Sequence, residues 1–285
     1  MPKPTIEKRE DGLRWVTVES GWTPEIASLI RSGRADGLEL NSSKGGWEDG
    51  LAFLREVPGL RHLILIDLQE RDVHVIERLA GLETLKLSAY ASSPLDFARL
   101  PALRKAFIEW RRQYRNISAC TNLEEVYLNR YWEKDLAGLR PLQKLSKLTV
   151  GDSRGLLSLE GIEEMSQLRS LGLRSLPKLR ELVPITSVAE TLEVLNMKQC
   201  RYLRSLEPLS SLARLQRLVL EDCGKVASLR PVSQLPALRV LYFDGDTDVV
   251  DGDLDFLLAM SLEAVAFKNR RHYSVRREEL ASWSP

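Results

Sequence analysis

The pattern L-x-x-L-x-L recurs along this chain at a nearly fixed step, and few folds accept that constraint. Its clearest copies are Leu168/Leu171/Leu173, Leu192/Leu195/Met197, Leu215/Leu218/Leu220 and Leu238/Leu241/Phe243. Leu123/Val126/Leu128, Leu145/Leu148/Val150 and Leu262/Val265/Phe267 follow the same register, and further units open at Leu60, Leu82 and Leu103. Two weaker units, Leu13/Val16/Val18 and Ala35/Leu38/Leu40, come first. Between residues 13 and 262 the twelve starts are separated by about 23 residues on average. Twelve registered copies make each unit one supersecondary element stacked on its neighbours.

The spacing dictates what each unit does. The last two apolar positions alternate with polar ones, as in a short half-buried strand. One such strand cannot bury its apolar face alone. Neighbours stacked at about 4.8 Å form a parallel sheet over a continuous core. The returning segments carry apolar residues every third position, as in Leu159, Ile162, Met165 and Leu206, Leu209, Leu212. A period of three suits short 3₁₀ turns. The early returns Trp47–Val57 and Asp72–Ala80 read as more helical.

These residues resemble the leucine-rich-repeat superfamily along nearly the whole chain, with the short-repeat, internalin-like class as the nearest type. The units from Leu145 to Leu238 match best, and Leu103 departs, with Ala106 where leucine is expected. The resemblance implies an α/β solenoid, horseshoe-like, with the parallel sheet on the concave face and short 3₁₀ or α segments on the convex face. Residues 1–285 are expected to form a single domain. Residues 1–34 are its N-terminal cap, and residues 262–285, including Arg276 to Trp283, cap the other end. The fold does not name a function, because the superfamily serves many partners.

Composition narrows the classes. The formal net charge is +1, so the chain as a whole is not drawn to nucleic acid or to anionic membranes. The opening segment lacks the apolar core of a secretory signal, and no apolar run approaches the roughly 20 residues of a membrane span. Three cysteines show no disulfide framework. The chain reads as soluble, cytoplasmic and monomeric.

Motifs for chemistry are sparse. There is no phosphate-binding loop, nucleophile elbow or zinc pattern, which implies a non-enzyme with no cofactor and no metal. Cys200 and Cys223 each stand eight residues past a unit start, where the superfamily usually places Asn or Cys to satisfy backbone groups at the turn. They read as a buried ladder, and Cys120 as a packing residue. His62 falls two residues into its unit and is expected on the concave surface. The stretch Asp244–Asp255 carries six aspartates and no base. Asp244, Asp246, Asp248 and Asp255 echo a calcium loop, but Val249 stands where the sharp-turn glycine belongs. A solvated acidic rim, open to a basic partner, is the simpler reading.

The most distinctive segment is Phe107-Ile-Glu-Trp110-Arg-Arg-Gln-Tyr-Arg115. Positions 2, 4 and 6 past each start should face the concave side. Phe107 and Tyr127 share position 4, in a mixed row that includes Glu39, Ile64, Lys86, Thr149, Asn196, Val219 and Tyr242. Trp110 and Arg130 share position 7, and Tyr90, Arg111 and Tyr131 share position 8. Equal positions imply one aromatic–arginine surface, the residue types enriched at binding hot spots. The alternative is that loop aromatics such as Trp132 pack the turn. The expected function is a non-enzymatic protein-interaction scaffold with a protein partner and no membrane. The second reading uses the same aromatic–arginine patch for nucleic acid, which the balanced charge disfavours.

Overall fold

The computed structural model describes residues 4–47, 50–203 and 205–280. By backbone proximity the chain divides into two compact units, one ending at Leu128 and one beginning at Asn129.

In the first unit the strands are β1 Ile6–Lys8, β2 Arg14–Thr17, β3 Gly37–Asn41, β4 His62–Arg71, β5 Thr84–Ala91, β6 Leu95–Asp96, β7 Lys105–Glu109, β8 Tyr114–Arg115 and β9 Glu125–Asn129. Each of β2, β3, β4, β5, β7 and β9 begins one or two residues after a start read from the sequence. β1 pairs antiparallel with β2. From β2 through β3, β4 and β5 to β7 the pairing is parallel, and β9 lies beside β7. β6 and β8 form a small second ladder.

The second unit contributes β10 Lys147–Gly151, β11 Ser170–Arg174, β12 Val194–Lys198, β13 Arg217–Glu221, β14 Lys225–Val226, β15 Val240–Asp244, β16 Asp248–Val249 and β17 Ala264–Phe267. β10, β11, β12, β13, β15 and β17 run parallel in that order. β14 and β16 pair separately. The register is set by the leucines: Leu148, Leu171, Leu195, Leu218 and Leu241 lie opposite one another in turn, all fully buried. A slip of one residue would turn each of them to solvent, so register is strongly specified.

The returns are 3₁₀ turns, as the period of three predicts. They include Ile162–Glu164, Val183–Val188 and Glu207–Ser211. The early returns depart from the helical expectation. Ala52–Glu56 and His74–Arg78 are also 3₁₀, while residues 48 and 49 lie outside the described set. The single α-helix among the described residues is α1, Pro24–Arg31, where Thr23 caps the first turn by accepting from the Ile26 amide. Apolar residues in those early returns are too closely spaced in threes to give a helix its 3.6-residue face.

The two ends are covered differently. At the start, the β1–β2 hairpin covers the edge, and Trp15 lies across Gly37. A methyl group at position 37 would fall 2.6 Å from the indole, so glycine is required there. At the other end Phe243 and Phe267 stack at 4.6 Å, with Tyr273 against both. The Tyr273 hydroxyl accepts from the Val249 amide at 3.0 Å. Residues 281–285, including Trp283, lie outside the described residues.

Candidate protein-binding surfaces

Strand alternation explains most of the outward side chains. On β7, Ala106 and Ile108 point into the core, while Phe107 and Glu109 are half-buried on the open face. On β9, Val126 and Leu128 point in and Tyr127 points out.

Past the strands the equal-position rule fails, and the reason is backbone geometry. In β7 the alternation runs on into Trp110, so the next inward side chain is the indole itself. Trp110 is 8% exposed, stacked on Phe97 at 6.0 Å and edge-on to Tyr114 at 6.1 Å. After β9 the chain behaves differently. Arg130 adopts φ 59°, a left-handed conformation that interrupts the alternation and sends Tyr131 inward, to 3% exposure. Trp110 and Tyr131 were expected on the surface and are packing residues instead. Burial raises the phenol pKa of Tyr114 and of Tyr131. Trp132, offered as a packing aromatic, is 46% exposed.

Tyr90 and Arg111 do meet. Tyr90 is 51% exposed, and the Arg111 guanidinium lies 4.8 Å from its ring centre. Arg111 also donates to the Ala89 carbonyl at 3.2 Å and to Glu109 at 3.1 Å, while Ser88 donates to Glu109 at 2.7 Å. The first unit therefore carries an arginine whose geometry is fixed before any partner arrives. In register, Lys86 lies opposite Phe107.

Two residues of the open face are buried against expectation. His62 is 6% exposed, with Trp15 6.2 Å away and Nδ1 3.0 Å from the Thr84 hydroxyl. Burial lowers its pKa. Glu39 is covered by Arg9, Asn41 and Lys44, all of which donate to its carboxylate. Burial alone would raise its pKa, but those donors outweigh it and hold the group near about 2. The N-terminal hairpin and its arginine supply this cover, which a unit-by-unit register does not anticipate.

In the second unit the left-handed residue repeats. Arg130, Asp152, Ser175, Gln199 and Asp222, all seven past their starts, have φ between 47° and 59°. Each of these amides donates to the last strand carbonyl of the following unit: Gly151, Arg174, Lys198, Glu221 and Asp244, at 2.8–3.1 Å. The next side chain in each unit turns inward: Tyr131, Ser153, Leu176, Cys200 and Cys223 are at most 3% exposed. The following column, Trp132, Arg154, Pro177 and Arg201, turns out again. Two outward columns beside a sunken one make a groove of about 830 Å³, lined by residues that include Arg130, Trp132, Asp152, Arg154, Gln199 and Arg201. Arg130 was expected at a binding surface. The column nine past each start was not, although it lies one position beyond that of Tyr90, Arg111 and Tyr131 in the same register.

The remaining candidates are structural. Cys200 and Cys223 are buried free thiols whose sulfurs lie 3.5 and 3.4 Å from the Leu173 and Met197 carbonyls of the preceding units. The neighbouring Cys223 thiol, and after it burial, raise the pKa of Cys200. Burial pushes Cys120 up to about 12. The aspartate stretch is answered from within the chain: Asp246 by Arg201, Asp248 by Arg270 and His272, and Asp253 by Arg230. Among the described residues no three His, Cys, Asp or Glu side chains are grouped to hold a metal ion. No described helix is long and apolar enough to cross a membrane.

No family model matches the chain, and no curated protein sequence matches it. Solved structures do. An internalin, InlF, from Listeria monocytogenes str. 4b F2365 is 16% identical, with a TM-score of 0.63 over 91% of this chain and 75% of its own. A TDR receptor is 15% identical, with a TM-score of 0.60 over 87% of this chain and 45% of its own. TLR13, in a structure described as a TLR13-ssRNA13 complex, is 16% identical, with a TM-score of 0.51 over 85% of this chain and 45% of its own. At these identities the likeness is one of backbone, and it agrees with the register read from the leucines: the chain has the leucine-rich-repeat fold.

Proposed function

We propose that this protein is a non-enzymatic interaction scaffold that binds a protein partner through the open, concave strand face. The observation that carries this reading is the ordered aromatic–arginine surface of the first unit. Tyr90 is exposed under a guanidinium that two further contacts, to the Ala89 carbonyl and to Glu109, already fix, and Phe107 and Tyr127 are outward on neighbouring strands. A side chain held before binding loses little entropy on contact, so its burial converts efficiently into affinity. In the second unit, considered by itself, Arg130 is an exposed cation. The buried thiols suit a reducing compartment, most simply the cytoplasm, and the scaffold acts as a monomer without cofactor.

The test is the double variant Phe107→Ala/Tyr127→Ala. A partner is captured from native extract, identified, purified and titrated against both proteins. The variant binds at least tenfold more weakly while its unfolding midpoint falls by no more than a few degrees. A variant that binds as tightly as the parent overturns the reading. Affinity for the purified ligand that falls steeply with salt, with a ligand made of nucleic acid, replaces it with the second one.

A further inference from the structure

We propose that the groove of the second unit is a docking site for an acidic peptide segment in extended conformation. The inference rests on the reading of the protein as a protein-binding scaffold but concerns a different surface.

The groove exists because of a three-residue rhythm in the turn. A left-handed residue points out, its successor points in, and the next points out again. Repeated along the stack, this gives two parallel banks with a sunken floor. One bank carries Arg130, Asp152, Ser175 and Gln199, and the other carries Trp132, Arg154, Pro177 and Arg201. Four stacked units at about 4.8 Å per step give a length of roughly 14 Å, which accommodates about four or five residues of an extended chain. The banks are continuous, so the shape suits a linear ligand.

Charge selects the ligand. Three guanidinium groups line the groove against one carboxylate, Asp152. Among the described residues Arg201 has one carboxylate partner, Asp246, at 3.3 Å with both side chains more than half exposed. Such a pair is worth little and exchanges readily for a ligand carboxylate. Arginine presents a planar fork that grips a carboxylate through two hydrogen bonds, which a peptide aspartate or glutamate supplies. Arg154 and Arg201 occupy the same bank two units apart, about 10 Å along the stack, which matches acidic side chains three residues apart in an extended polyproline II segment, where a turn of three residues at about 3.1 Å each returns them to one face. Between them Pro177 offers an apolar step, and Trp132 at the end offers a ring for an apolar or aromatic residue.

Strain supports the assignment. Non-glycine residues in left-handed backbone cost free energy, and glycine would remove that cost. This unit nevertheless places Arg, Asp, Ser and Gln at four successive left-handed positions, all of which line the groove. The side chains that those positions project are what the backbone cost retains.

The test uses the full chain and fluorescein-labelled octapeptides in which two glutamates stand two, three or four residues apart, with a lysine-substituted octapeptide and an oligouridylate octamer as controls. Fluorescence polarisation is read at low and at physiological salt. The expected result is saturable binding of a glutamate peptide, best at a spacing of about three. The lysine peptide does not bind. Arg154→Ala/Arg201→Ala weakens binding at least tenfold with an unchanged melting midpoint, and Phe107→Ala/Tyr127→Ala leaves peptide affinity intact. The proposal is overturned if no glutamate peptide saturates, if the arginine variants bind equally well, or if the oligouridylate binds more tightly than every peptide. Loss of partner binding on Phe107→Ala/Tyr127→Ala with no peptide binding by the parent would sink the groove and leave the scaffold reading standing.

Discussion

Trp110 and Phe107 are three residues apart on the same strand and its continuation, and they ought to behave in opposite ways. The Trp110 indole is almost wholly buried between Phe97 and Tyr114. An aromatic side chain of this kind buries roughly 150–250 Å², which at about 25 cal/mol per Å² is worth about 4–6 kcal/mol as an upper bound. Large-to-small changes of buried aromatics cost about 3–5 kcal/mol in practice, because the neighbours relax only in part. Trp110→Ala should therefore lose about 3–5 kcal/mol, a large share of the stability of an ordinary domain. Phe107 is half-buried on the open face, so Phe107→Ala should lose about 1 kcal/mol or less. Urea unfolding followed by far-ultraviolet circular dichroism measures both, with the slope m checked for constancy. Parity along β7 would be wrong, and with it the outward placement of Phe107, if Phe107→Ala lost more than Trp110→Ala.

Three further outcomes follow from the same geometry. Leu195→Ala, in a fully buried ladder position with a leucine on either side, should cost about 2–5 kcal/mol, whereas Leu13→Ala, only half-buried at the chain's start, should cost far less; thermal melts of the two rank them. Glu39, held near about 2, gives stability that is fully present above its unfolded value near 4.5 and is lost as pH falls toward 2, so the fall in stability over that window should be shallower in Glu39→Gln. His62, whose folded pKa is lowered by burial, opposes this protein's stability once pH drops below about 6.5, and His62→Phe should flatten the melting midpoint between pH 7 and pH 5.

The repeat register was legible because its signal is redundant. Each apolar position recurs in every unit, so irregularities such as Ala106 do not hide the strand they sit in. The surface was less legible, because it depends on single backbone angles that apolar spacing does not encode. Nothing in the residue types around Arg130 marks it as left-handed, yet that one angle separates the fate of Tyr131 from that of an ordinary alternating residue. Burial of His62 and Glu39 was hidden for another reason. It comes from Trp15, whose reach across the neighbouring strand depends on the absent side chain of Gly37, and from Arg9, which donates to Glu39. A charge pattern runs one residue past most of the starts. Arg14 pairs with Asp36, Arg61 with Glu83, Arg104 with Glu124, Arg169 with Glu193 and Arg239 with Glu263, each from one unit to the next. Exposed pairs of this kind add little energy apiece. From Arg14 to Glu124 their alternation is unbroken, so a stacking that skips one of the units between would bring like charges together.

The left-handed column allows the cost of the groove to be measured directly. In the unit beginning at Leu238 the equivalent position is Gly245, where a methyl group would fall 2.1 Å from the Asp222 carboxylate, so glycine is imposed there by contact. At Ser175 and Gln199 no such contact is needed to explain the conformation, and each carries the left-handed cost of about 1–2 kcal/mol for an L-residue. Replacing both with glycine removes that cost but adds the larger backbone entropy of glycine in the unfolded chain, about 0.5–1 kcal/mol per site. The Ser175–Gln199 hydrogen bond, 2.7 Å long and exposed, disappears together with both partners and leaves no buried group unsatisfied. The balance predicts that Ser175→Gly/Gln199→Gly is as stable as the parent or slightly more so, although two glycines placed in ordinary extended or helical backbone would destabilise. The same variant lacks two of the four side chains of one bank of the groove and should bind glutamate peptides more weakly. A variant that is less stable by more than about 1.5 kcal/mol would show that these side chains stabilise the turn itself, and their presence at strained positions would then need no ligand to account for it.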